Sequence, residues 1–236
     1  MDQYLERLSL CISQEQLDKL KDKTVMVIGI GGVGGYVCEA LARSGIGQLI
    51  LVDNDEVSAS NLNRQIIATK SNIGLSKTIA MKNRIEDISN SKVKTIDIFY
   101  NEDTNIITSD IDYVVDACDT MIAKINIIDK CHKLDIPHLA CLGTGNRFNP
   151  QSFIYTTLDK TKNDPVARSM RSLVKKYNIN YKVNVVVSSE IPHKQNTLVN
   201  PDGNTLKEKY PPSSNAFVPA SAGLFIASIV FKDLIS

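Results

Sequence analysis

The sequence contains no Cys-x-x-Cys pair. Its five cysteines, Cys11, Cys38, Cys118, Cys131 and Cys141, are odd in number and irregularly spaced. That pattern argues against a disulfide framework and for reduced thiols in the cytoplasm. Cys131, His132, His138 and Cys141 fall close enough to suggest a zinc set, but Cys131 sits in a helical pattern and Cys141 in a strand-like one, so packing is the simpler reading. Net charge is also scarce, at +1 over 236 residues. A nucleic-acid partner therefore has to be argued from local patches, not from the global balance. No basic, apolar leader opens the chain, so secretion is not expected. The longest late apolar stretch, 216–231, is short for a bilayer and is broken by Pro219, Ser221 and Ser228. It reads as a buried helix, with no stable membrane insertion. Repeats and low-complexity tracts are missing too. What remains, 43% hydrophobic and 22% charged residues, is ordinary for a soluble globular protein with a sizeable core.

Apolar runs and helical periodicities alternate. Ser13 with Gln16 three residues on has the form of a capping box for a short helix. Strands are expected at 24–30, 48–52, 93–99, 113–116 and 138–142, with helices at 34–44, 76–88 and 121–134 between them. That alternation predicts an α/β fold: a Rossmann-like, mostly parallel sheet with flanking helices. The C-terminal part adds strands at 152–157 and 181–187, a basic helix at 165–177 and an apolar helix at 218–235. Between them, 191–215 is rich in Pro, Asn, Lys and Ser without periodicity and reads as a flexible surface loop.

The chemistry starts at Gly29-Ile30-Gly31-Gly32-Val33-Gly34. Glycines between a strand and a helix permit a tight turn and let backbone N–H groups approach a phosphate. Asp53 follows Gly34 by 19 residues, at the end of the next strand, where a carboxylate meets ribose hydroxyls. The pair points to a nucleotide but does not choose between NAD and ATP. No Walker A motif competes, since Gly74-Leu75-Ser76-Lys77-Thr78 resembles its tail but position 69 is Thr. Asn61-Leu62-Asn63-Arg64-Gln65 and then Lys77 tip the choice. Hydride transfer has no need of two cations on a phosphate tail, whereas nucleotidyl transfer stabilises leaving pyrophosphate with them. Asp116 and Asp119 end a later strand, where a carboxylate could hold Mg²⁺ through water.

The series GIGGVG, LVDNDEV, NLNRQ, GLSK and DACD resembles the ubiquitin-activating-type adenylating enzymes, the MoeB and ThiF group. The resemblance implies that Gly29, Gly31, Gly32 and Gly34 line ATP and that Asp53 holds its ribose. It places Asn61, Arg64, Gln65 and Lys77 about the nucleotide and its phosphates, and Asp119 on the Mg²⁺ side. It also implies a homodimer in which Arg7 reaches the partner's ATP. Relatives that activate a ubiquitin-like sulfur carrier usually carry two CxxC pairs, which this chain lacks. ERLSLCISQEQLDKL, DPVARSMRSLVKKY, KVNVVVSSEIP and SSNAFVPASAGLFIAS resemble instead the branch of tRNA threonylcarbamoyladenosine dehydratases. That branch implies ATP-dependent adenylation of the threonylcarbamoyl carboxylate on the adenosine beside the anticodon, then cyclisation by the tethered carbamoyl group with release of AMP, aided by proximity. It implies one adenylating domain over 1–236: an arm and helix (1–23), a nucleotide-binding half (24–145) and a substrate and dimer half (146–236). The expected partner is tRNA and not DNA, with association with sulfur-transfer proteins left open.

Some relatives place a cysteine near the start of the last helix. Here 214–219 has none, which excludes a thioester at that position, and Cys118 reads as a packing residue. Arg168, Arg171 and Lys175 share one helical face and could track RNA phosphates, with Lys160, Lys162, Lys176, Lys182, His193 and Lys194 nearby. Tyr177 and Tyr181 could stack on bases or simply pack. Three other readings stay in view: sulfur-carrier activation, a NAD-dependent oxidoreductase that leaves Asn61, Arg64, Lys77 and Asp119 unused, and a nucleotide-sensing module.

Overall fold

The structure, a computed structural model, describes residues 2–196 and 212–236. Helix α1 (Gln14–Lys21) opens on the expected capping box: Ser13 Oγ accepts from Gln16 N–H while Gln16 Oε1 accepts from Ser13 N–H. It leads into β1 (Thr24–Ile28), α2 (Gly34–Arg43), β2 (Gln48–Val52), α3 (Lys77–Ile88), β3 (Lys92–Ile96), β4 (Tyr113–Asp116), α4 (Met121–Lys133) and β5 (His138–Cys141). Then follow β6 (Phe153–Thr157), α5 (Pro165–Lys176), β7 (Asn184–Ser188) and α6 (Val218–Ile235).

Seven strands form one sheet in the order β3-β2-β1-β4-β5-β7-β6. All neighbours are parallel except β6, which runs antiparallel to β7. The period-two alternation of the buried strands divides the core. Val25, Val27, Leu49, Leu51 and Val115 face α2, α3 and α6. Met26, Ile28, Ile50, Val52 and Val114 face the other way, toward α4. Farther along that same side, Ala140, Val185 and Val187 meet α5. The order reverses at β1, which has β2 on one side and β4 on the other. In open α/β sheets the crevice beyond the strands' carboxyl ends at such a reversal is where ligands bind.

Helix α6 meets the length and composition of a membrane span, with 18 residues and mean hydropathy 1.6, yet half of it is buried inside the protein. Its small and branched face, Ala222, Gly223, Ile226 and Val230, is buried, and a Cβ on Gly223 would meet Val33 O at 2.4 Å, so α2 and α6 lie close.

Several boundaries differ from the expected ones for visible reasons. β3 stops at Ile96 rather than 99, because Asp97 turns its carboxylate to the Ser76 and Thr78 hydroxyls. β7 starts at Asn184 rather than 181. Tyr181 instead stacks on His132 at 3.4 Å between ring centroids and donates to Ile128 O. That packing takes Tyr181 out of the candidates for base stacking. Of the loop expected over 191–215, residues 197–211 lie outside the described residues, and its two described flanks carry neither helix nor strand.

Candidate active site

A cleft of about 790 Å³ opens at the carboxyl ends of β1, β2, β4 and β5. Its floor is the glycine loop. Gly29 has φ +91° and packs so tightly on the next loop that a Cβ there would lie 2.7 Å from Ala117 O. A Cβ on Gly34 would lie 1.8 Å from Gly29 O, so only glycine lets α2 start this close to β1. Helix α2 has no side-chain cap and no acid in its first turn. The N–H groups of Gly35, Tyr36 and Val37 are taken by Gly31 O and Val33 O, so the backbone that the helix start offers the cleft is that of Gly31, Gly32 and Val33, at its positive dipole end, as an anion site requires. On the wall, Gln65 is buried and its Oε1 has no partner. Such an orphan acceptor, beside a cradle that tolerates no Cβ at Gly34, fits a polar ligand.

Asp53 lies at the end of β2. Its carboxylate accepts from Ile30 N–H at 2.6 Å and Asp55 N–H at 2.9 Å. Burial pushes its pKa up, while the Lys77 ammonium 3.9 Å away pulls the other way. Lys77 opens α3, is buried, and pairs with Asp55 at 2.6 Å. Asn61 is buried in a short 3₁₀ turn, its Oδ1 accepting from Ser58 N–H. Arg64, one turn on, donates to Ser60 O at 2.7 Å and Asn63 Oδ1 at 3.0 Å. Asp119 sits exposed on the rim, with Thr120 Oγ1 3.4 Å from its carboxylate. The cleft thus brings together Gly29, Gly31, Gly32, Asp53, Asn61, Arg64, Gln65, Lys77 and Asp119. Gly34 supports it from below. Arg7 is exposed and does not line the cleft of its own chain.

Beneath Asp119, Asp116 is fully buried against a lysine that sequence reasoning missed, which leaves Asp119 as the exposed carboxylate of the two. Lys124, in the first turn of α4, is buried and also lines the cleft. Its ammonium donates to Asp116 Oδ1 and to Cys141 O, each at 2.9 Å, tying the ends of β4 and β5. The signal was present: Lys124 shares the buried face of α4 with Ile128 and Cys131 at spacings of four and seven. Cys118 donates to Asp116 Oδ1 at 3.0 Å. Burial, then the Asp116 carboxylate, pushes its thiol well above the usual range, so it is no ready nucleophile.

The far wall is Gly143-Thr144-Gly145 after β5, with Val166, Pro212, Ser214 and Pro219. A second hub, also missed, organises it. Arg147 is buried; it donates to Gly143 O at 3.1 Å, to Glu190 O and to the Asp164 carboxylate. Asp164 in turn caps α5 through Ala167 N–H at 2.7 Å. One guanidinium therefore fixes the turn after β5, the exit of β7 and the start of α5. The expected row on α5 needs one correction. Arg171 points back, donating to Thr161 and, at its limit, Leu158 O, so it is structural.

Comparison with known proteins places the chain's family and fold. The model of the ThiF family matches residues 5–174. The chain is 40% identical to the tRNA threonylcarbamoyladenosine dehydratase of Bacillus subtilis (strain 168), over 97% of this chain and 93% of that protein. It superposes on the Escherichia coli tRNA N6-threonylcarbamoyladenosine dehydratase TcdA in complex with ATP with a TM-score of 0.85 at 31% identity, covering 99% of this chain and 94% of that one. For the same enzyme in complex with AMP the TM-score is 0.86 at 30% identity, covering 96% and 92%.

Proposed function

The chain belongs to the ThiF family, and from that premise we propose that it uses ATP to dehydrate and cyclise the threonylcarbamoyl group on the tRNA adenosine beside the anticodon. The observation that carries this reading is the cleft itself. The glycine loop, the Asp53 carboxylate and the Arg64 and Lys77 side chains all line it, across from the Gly143–Gly145 wall. A substrate carboxylate oxygen attacks the α-phosphorus of ATP and pyrophosphate leaves. The tethered carbamoyl group then attacks the resulting mixed anhydride, and AMP leaves. Tethering supplies much of the second rate.

In this reading the glycine loop Gly29–Gly34, through the N–H groups of Gly31 to Gly34, and Gln65 hold the nucleotide, Asp53 its ribose, and Asn61, Arg64 and Lys77 its phosphates, Gly29 and Ile30 N–H being bonded to Val52 O and Asp53. Fixed cations beside departing pyrophosphate stabilise charge where it develops. Asp119 fits a Mg²⁺ held by one carboxylate, phosphate oxygens and water, the usual manner for that ion. Bound there, the ion would neutralise phosphate charge. Arg7 acts on the partner's nucleotide in a homodimer, since its own cleft lies elsewhere. Residues 24–145 bind nucleotide and 146–236 supply substrate and dimer surfaces of one adenylating unit in the cytoplasm.

The decisive assay incubates the enzyme with α-labelled ATP and threonylcarbamoylated tRNA, unmodified tRNA or a ubiquitin-like sulfur carrier. Labelled AMP should form only with the modified tRNA; AMP with the carrier in its place would overturn the reading. A second expectation concerns Cys118. Because its thiol is held protonated, Cys118→Ser should keep near wild-type turnover, and intact-mass spectra of the working enzyme should show no covalent adduct. A hydroxylamine-labile adduct lost in that variant would establish a thioester route.

A further inference from the structure

We propose that the exposed face of α5 is the track along which the tRNA backbone lies while its modified base occupies the cleft; this rests on the tRNA-directed activity proposed above. Helix α5 is sharply two-sided. Ala167 and Met170 are buried, with Leu173 and Val174 packed behind them, while Arg168, Ser172, Lys175 and Lys176 are exposed. Arg168 and Lys175 are two turns apart on one face, about 10 Å along the axis. Among the described residues neither they, nor Lys176, nor Lys162 in the approach to the helix, lies within ion-pair distance of a carboxylate. Lys21, Lys23, Arg43, Arg84 and Lys133 are paired, while Lys70 and Lys92 are exposed without an ion pair among the described residues, so what marks α5 is the gathering of such cations on one helix. Lys160 and Lys182 are left out of the track, because both sit in the field of Asp159.

The row of charge also has a direction. Val166, in the first turn of α5, lines the cleft. Arg168 follows two residues later, on the exposed side of the helix and outside the cleft lining, and Lys175 and Lys176 continue along the helix away from its cleft end. The helix start is rigidly referenced to the cleft through Asp164, Arg147 and Gly143, so a phosphate held by Arg168 stands in fixed register with a base in the pocket. At the far end Tyr177 is 44% exposed, with the Lys176 ammonium 5.6 Å from its ring centroid. An aromatic face beside cations is what unstacked bases of a single-stranded loop bind. Phosphate contacts of this kind position the RNA without reading its sequence, which suits an enzyme whose selectivity lies in the modified group.

The test is charge reversal of the full-length protein, Arg168→Glu with Lys175→Glu and Lys176→Glu, read by filter binding of threonylcarbamoylated tRNA across a salt series. ATP binding serves as the control for fold. We expect unchanged ATP affinity and tRNA affinity lower by about tenfold or more, with the log–log salt slope flatter by about two. If the reversed protein loses ATP binding as well, the neutral Gln triple replaces it, with the same salt-slope criterion. Wild-type tRNA affinity and slope in a variant that binds ATP would overturn the track. AMP release by the wild-type protein from modified tRNA is scored separately: its absence would sink the proposed activity, while the binding series still decides the track.

Discussion

Lys77→Ala should slow AMP formation by about 10²–10³-fold, the usual cost of deleting one group aimed at charge that develops in the transition state. The protein should still melt cooperatively. Lys77 is the cation on which the glycine-loop side of the cleft closes: it is buried, 2.6 Å from Asp55 and 3.9 Å from Asp53. Its loss leaves the Asp53 and Asp55 carboxylates lining the cleft with no fixed positive charge between them. It also removes the largest of the effects that oppose the burial-driven rise of the Asp53 pKa, leaving only the hydrogen bonds from Ile30 and Asp55 N–H to do so. Asp53 in the variant should therefore take up its proton at a higher pH than in wild type. ATP affinity should then fall earlier on acidification, because a protonated carboxyl is a poorer acceptor for ribose hydroxyls. Titrating ATP affinity against pH for both proteins checks the direction. Coincident curves together with normal AMP release would remove Lys77 from the site.

Lys124→Met should be the most destabilising single change in the site. Its ammonium and Asp116 are almost fully buried and hydrogen-bonded at 2.9 Å. Methionine fills the space of the aliphatic stem but leaves a buried carboxylate without a counter-charge. Asp116 Oδ2 already lacks a partner in the wild-type protein, and the donors that would remain to the carboxylate, Cys118 N–H and Sγ–H, are uncharged. Breaking a buried pair from one side costs about 3–5 kcal/mol. For a chain of this size that corresponds to a fall in Tm of about 10 °C. Removing both partners, as in Lys124→Met with Asp116→Leu, should recover much of the stability, because a buried pair replaced by packed apolar groups is often neutral. Calorimetric melts of the three proteins decide the matter. A single variant as stable as wild type would show that the pair is not the strut its geometry indicates. In the double variant, low AMP formation at restored Tm would separate the placing of the Asp119 loop from stability alone.

The residues most legible from sequence were those whose role is local. Strands β2 and β4 and helix α6 begin and end where their apolar runs do, and the glycine loop announced its turn through composition alone. Asn61, Arg64 and Lys77 were findable because they follow one another within a short span, so spacing carried the information. Helical spacing put Lys124 on a buried face without saying what would neutralise it there, and Arg147 gave no signal at all, for a physical reason. Each is made buriable by partners far along the chain: Cys141 O lies 17 residues from Lys124, while Arg147 relies on Asp164 and the Glu190 carbonyl. No local pattern encodes such a pair; only the sheet order, which places β4 beside β5 and β5 beside β7, creates it. Arg171 misled in the opposite way. Helical spacing put it in a row with Arg168 and Lys175, yet it lies at the margin of the buried face, where backbone carbonyls can claim it.

The contact between Gly29 and Ala117 has a consequence for how the enzyme meets its nucleotide. The glycine loop and the loop that carries Asp119 touch through backbone atoms at distances that leave no room for a side chain, and Ala117 N–H is bonded to Ile28 O. The phosphate cradle and the rim carboxylate are therefore parts of one stiff piece. Little chain freedom remains to be lost when a ligand arrives, so binding energy is not consumed in assembling that side of the site. The nucleotide side of the cleft is in this sense built before its ligand arrives.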